Sequence, residues 1–67
     1  MYRLRGFRKL KQITQRDLAA QFDVSLKTVR EWEMEISTPD YETICKIAEY
    51  FDTSVEYLLG HNKDNKS

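Results

Sequence analysis

Lys27, Arg30 and Glu31 share one side of the segment Leu26–Glu33, and Val29, Trp32 and Glu33 share the other. At 3.6 residues per turn the second set, at i, i+3 and i+4, forms a single inward stripe and the first set faces solvent. The solvent set has the chemistry of base-edge recognition. Lys27 can donate to guanine O6 and N7, and Glu31 can accept from cytosine N4. Leu26, at the exposed N-terminal end, can pack on a thymine methyl. Arg30 adds further donors. The same side chains also have a plainer use: Lys27 and Glu31 stand at i, i+4 and could merely satisfy each other on a solvated face, for about 0.2–0.5 kcal/mol.

The segment must be held by what precedes it, Thr14 to Ser25. Thr14 can cap a helix over Gln15–Phe22, and Asp17 three residues on completes an approximate capping box. Leu18, Ala19 and Phe22 share one face of that helix. Ser25 can cap the next. Two amphipathic helices separated by so little chain must cross steeply, with a small residue, Ala19, at the crossing; this is a helix-turn-helix arrangement. The first turn after Thr14 has free backbone N–H groups and the positive end of a helix dipole, which together with the Gln15 amide suit a phosphate oxygen. Arg5, Lys9 and Arg16 are further cations able to meet phosphates, or simply to be solvated.

Residues Thr14–Gln15, Leu18–Ala19, Val24–Ser25, Thr28–Val29 and Glu33 resemble the helix-turn-helix of the Xre/Cro family of lambda-repressor-like domains. The likeness extends outward through Leu4, Phe7 and Arg8, and through Pro39, Ile44, Ile47, Ala48, Phe51 and Ser54–Leu59, covering roughly residues 3 to 60. It implies an all-α, compact five-helix domain with the helix-turn-helix at helices two and three. It implies a sequence-specific regulator of transcription, a repressor, that puts the start of helix three into the major groove of double-stranded DNA. Base contacts then fall to Leu26, Lys27, Arg30 and Glu31, and backbone contacts to Thr14, Gln15, Arg5, Lys9, Arg16 and Thr28. By resemblance Arg8 and Glu33 form a structural salt bridge behind the recognition helix. Tyr57 and Leu58 lie on a fifth helix that in this family helps form a homodimer, which implies a near-palindromic operator with half-sites ~34 Å apart. A protein or peptide anti-repressor is a further partner of such domains, and the setting is a bacterial or phage-encoded protein in the cytoplasm. No cofactor is implied. Two positions depart from the pattern. Asp23 stands where the family usually has glycine in a left-handed turn, and Met34–Glu35–Ile36 replaces a run that often carries glycine and basic residues.

The remaining chain supplies the frame. Tyr2–Lys11 reads as helix one, with Leu4, Phe7 and Arg8 inward and Gly6 costing roughly 1 kcal/mol relative to Ala. Asp40 caps helix four, which runs to Phe51 with Tyr41, Ile44, Ile47, Ala48 and Phe51 inward. Ser54 caps a short fifth helix, Val55–Leu59, ended by Gly60. Leu58 or Leu59 is expected to pack on helix four, and Tyr57 to stay exposed. Residues 1–60 form the expected domain, and 61–67 a polar, flexible tail.

Sixty-seven residues allow one small domain, 40% hydrophobic and 33% charged. Net charge is zero, but residues 1–33 carry eight Lys or Arg against four Asp or Glu, a net of +4, and residues 34–67 a net of −4. The basic half holds the helix-turn-helix. No apolar run approaches bilayer length, so no membrane is expected. The one cysteine, Cys45, excludes an internal disulfide and reads as a mostly buried apolar residue. With one histidine, His61, there is no metal-ligand spacing, and no nucleophile–base pair or phosphate-binding glycine loop points to an enzyme. The rival function is a protein-interaction module that keeps the frame without DNA affinity. An acidic or apolar outer face on helix three would favour it; a continuous basic strip from helix one to helix three would count against it.

Overall fold

Four of the five helices among the described residues, all but the first, are started by a local side-chain cap. The computed structural model describes residues 1–60, so the expected polar tail lies outside the described residues. The helices are α1 (Leu4–Leu10), α2 (Gln15–Gln21), α3 (Leu26–Glu33), α4 (Tyr41–Tyr50) and α5 (Val55–Leu59), with no strand among the described residues. Thr14, Ser25, Asp40 and Ser54 each accept a hydrogen bond from the backbone N–H three residues on. Thr14 and Asp17 close a full capping box. α1 starts two residues later than its apolar spacing predicts, because Arg3 makes no side-chain cap and its N–H is instead held by Leu58 O at 3.1 Å.

The stops share one geometry. Gln12, Asp23, Glu35 and Asp52, each just past a helix, have φ between 56° and 61°. Around them the N–H groups of residues C′ and C″ turn back to the carbonyls of C2 and C3, as in Gln12 N to Lys9 O (3.0 Å) and Ile13 N to Arg8 O (3.2 Å). This is the Schellman motif, made four times without glycine. The left-handed turn expected at Asp23 is present; the three others carry no glycine or asparagine signal. Gly60, φ 81°, ends α5.

Every helix contributes one fully buried side chain to a common core: Leu4, Leu18, Val29, Ile47 and Leu58. Ala19 is buried where α2 packs on α3, and Trp32 is buried with it. An aromatic run, Phe22–Tyr50–Phe51–Phe7–Tyr57, crosses from α2 through α4 and α1 to α5 with ring centroids 5.0–5.9 Å apart. The Met1 ammonium donates to Trp32 O at 2.6 Å, and burial lowers its pKa against the opposing pull of Glu35 and Glu33.

Three expectations need correction. Leu58 has no exposed surface and belongs to the core, so it is not a dimer contact; α5 is too short to seal the core with any other residue so completely. Tyr41 is 71% exposed rather than inward, because the first residue of α4 precedes the stripe set by Ile44, Ile47 and Ala48. Cys45 is half-buried, at the edge of that stripe rather than within it.

Candidate nucleic-acid interface

The interface is built around Glu33, the last residue of α3. Arg8 Nε donates to Glu33 Oε2 at 2.6 Å and Arg8 Nη2 to Oε1 at 3.3 Å, a two-point clasp with side chains only 12% and 4% exposed. Arg8 Nη1 also donates to Ile13 O at 3.0 Å, tying the α1–α2 link to the same guanidinium. Gln15 Nε2 donates to Glu33 Oε1 at 3.0 Å. One carboxylate therefore fixes α1, the start of α2 and the end of α3 relative to one another.

In front of this cluster lies a concavity of about 430 Å³ lined by Arg5, Arg8, Gln15, Arg30, Glu33 and Met34. Glu33 neutralises Arg8, but Arg5 and Arg30 are exposed and have no ion pair among the described residues. The cleft is thus a cationic hollow with an amide at one wall. The capping box uses the N–H groups of Thr14 and Asp17; as first-turn groups, those of Gln15 and Arg16 have no carbonyl partner within the helix. The Thr14 backbone N–H first, and the Thr14 hydroxyl second, hold the Asp17 carboxyl below its usual range.

The remaining residues distribute as follows. Lys27 is 84% exposed on the outer face of α3, with Nζ 3.8 Å from Glu31 Oε2, the i, i+4 pairing that its spacing allows. Leu26 is half-exposed at the start of α3. The Thr28 hydroxyl pairs with Ser25 Oγ at 2.8 Å, so it steadies the cap. Lys9 and Arg16 are exposed and lie outside the cleft. Arg30, grouped by sequence with the base readers, lines the cleft together with Arg5. The link from Gln15 to Glu33 was not anticipated. The Arg5–Arg30 pairing had a legible signal: each lies one turn before a member of the Arg8–Glu33 pair, so that pair brings them together.

A helix-turn-helix family profile matches residues 4–58. The chain belongs to the Xre-like helix-turn-helix family. Its fold is the all-α lambda-repressor-like one, and this family is one of DNA-binding domains of transcription regulators rather than an enzyme class. Three relatives come from Bacillus subtilis (strain 168). The chain is 30% identical over 63 residues to the uncharacterized HTH-type transcriptional regulator YqaE, covering 94% of this chain and 54% of that protein. It is 27% identical over 64 residues to the HTH-type transcriptional regulator ImmR, covering 96% and 50%. It is 31% identical over 62 residues to the uncharacterized HTH-type transcriptional regulator YobD, covering 92% and 55%. The helix-turn-helix chain thus spans about half the length of the curated relatives it matches. No solved structure matches it significantly. Among the described residues no helix is long and apolar enough to cross a membrane.

Proposed function

We propose that this helix-turn-helix domain binds double-stranded DNA in a sequence-specific way and represses transcription as a homodimer on a near-palindromic operator. The observation that carries the reading is the Arg8–Glu33–Gln15 cluster. It locks α3 to the two helices beside it and leaves the outer face of α3 next to a cationic cleft. Leu26, Lys27 and Glu31 read base edges. Arg5, Arg30 and the start of α2 meet phosphates, the second N–H of the Gln15 amide remaining for an oxygen ligand. Arg16, Lys9, Thr14 and Thr28 flank this path. Tyr57, 40% exposed, supplies the dimer contact on α5. The setting is the bacterial cytoplasm, the protein being encoded by the bacterium or by a phage. The Arg5–Gln15–Arg30 cleft, with Lys27 exposed one turn before Arg30 on α3, supports this reading over the protein-interaction module, whose acidic or apolar outer face on α3 is not found.

Fluorescence anisotropy against a random-sequence duplex, as salt is raised, tests the DNA claim. Affinity should fall steeply and linearly on logarithmic axes, with a slope reflecting a handful of phosphate contacts. No binding at low salt would overturn it.

A further inference from the structure

Met34 is the one apolar side chain lining the cleft between α1, α2 and α3. Its companions there are three arginines, the Gln15 amide and the Glu33 carboxylate. The Met34 N–H donates to Arg30 O at 2.9 Å, which closes the last turn of α3 and places Met34 one turn beyond Arg30 on the same face. Met34 is 69% exposed, so the core gains little from it. None of the roles assigned to the cleft uses its thioether. That group has a chemistry of its own: a peroxide adds an oxygen to it and turns a flexible apolar side chain into a polar one.

The rest of the chain offers an oxidant little else. The second methionine, Met1, is 4% exposed in the core, and the one thiol, Cys45, is half-buried on α4. Met34 shares its cleft with Arg5 and Arg30, neither of them ion-paired among the described residues. We infer that Met34 is an oxidation site through which a peroxide weakens duplex binding. The Sδ lone pair attacks one peroxide oxygen, and the S–O bond forms as the O–O bond breaks. The proton left on the transferred oxygen passes to the departing hydroxide, which leaves as water. Sulfur loses two electrons and the peroxide gains them. The sulfoxide oxygen carries partial negative charge and accepts hydrogen bonds. In this cleft it takes donors from Arg30 and Arg5 that otherwise meet a phosphate oxygen. Methionine sulfoxide reductases, with a thiol as reductant, return the oxygen to water and restore the thioether. The inference rests on the reading that this cleft meets DNA phosphates.

The test treats the full chain with hydrogen peroxide and locates the added oxygen by peptide mass spectrometry. Met34 should gain it about tenfold faster than Met1. Duplex affinity, followed by fluorescence anisotropy, should then fall about three- to tenfold, as the loss of one hydrogen-bonded contact does. Its dependence on salt should become shallower. Thermal melts by circular dichroism should match those of the untreated chain. The two reductases, one for each sulfoxide epimer, should restore the affinity. Met34→Leu, which keeps Met1 and Cys45, should bind duplex equally before and after treatment. Equal oxidation of both methionines, or an affinity that oxidation leaves unmoved, overturns the proposal. So does a treated Met34→Leu that weakens as the parent does, or a melting temperature that falls along with the affinity. If the untreated chain binds no duplex at low salt, the reading beneath the proposal falls with it.

Discussion

Gln15 donates to Glu33 across the crossing of α2 and α3, Nε2 to Oε1 at 3.0 Å, and Arg8 holds the same carboxylate from the other side. A residue with the obvious chemistry for a phosphate is thus also part of the frame that fixes α3. The single carboxylate is what a disruption should reach first.

Replacing Glu33 by Ala leaves the Arg8 charge nearly buried and unpaired, a cost of about 3–5 kcal/mol. For a domain this small that is most of its stability. Glu33→Ala should be largely unfolded in urea titrations begun at 25 °C. The double variant Arg8→Met/Glu33→Leu should recover the fold, because no charge is stranded, but bind duplex DNA more weakly because Gln15 loses its acceptor. Equal affinity for double variant and parent would show that the cluster does not aim α3.

The four non-glycine Schellman ends carry backbone strain that glycine would relieve. A left-handed conformation costs roughly 1–2 kcal/mol for an ordinary residue, less for Asp, and part of the gain is lost to the looser unfolded chain. Gln12→Gly and Glu35→Gly should each raise the melting temperature by a few degrees, and more than Asp52→Gly does. A fall at Gln12 or Glu35 would show that the side chain there makes a contact worth more than the strain.

Asp17 and Asp40 are both held below the ordinary carboxylate value of 3.8, Asp17 mainly by the Thr14 backbone N–H and Asp40 mainly by Thr43. Their folded-state values are depressed, so their contribution is complete above 3.8 and is lost as pH falls through the lower folded values. Stability measured by denaturant titration should decline over that acid window. Asp40→Asn, which keeps a good cap, should match the parent at pH 7 and flatten the decline.

Leu58 and Tyr57 are neighbours with separate tasks. Leu58→Ala should cost about 2–5 kcal/mol at every protein concentration, as loss of a fully buried leucine does. Tyr57→Ser should instead remove any dependence of melting temperature on protein concentration. If Tyr57→Ser left that dependence intact, the dimer contact would lie elsewhere.

Much of this was legible in the chain. Cap residues, apolar spacing and the Arg8–Glu33 pair sufficed for five helices and their order, because four of the five start signals are local and each inward stripe repeats. Tyr41 failed because periodicity extrapolates past the end of a stripe. Leu58 was one of two candidates for packing and also a dimer candidate, because adjacent apolar residues on one turn cannot be ranked by spacing alone; it is the buried one. The left-handed stops at Gln12, Glu35 and Asp52 were hidden, since none of the three is the glycine that signals a positive φ, and the turns are closed by backbone hydrogen bonds that no side chain announces. Gln15 reached Glu33 only through the crossing of α2 on α3, a distance no single-helix pattern encodes.

The central claim is that α3 reads DNA. The most direct measurement is selection from a random duplex pool at near-physiological salt, run in parallel for the parent and Lys27→Ala. The parent should recover a two-fold symmetric motif, and Lys27→Ala should lose preference at one position in each half-site while keeping the rest. Identical motifs from both proteins, or no sequence recovered by the parent, would contradict the assignment.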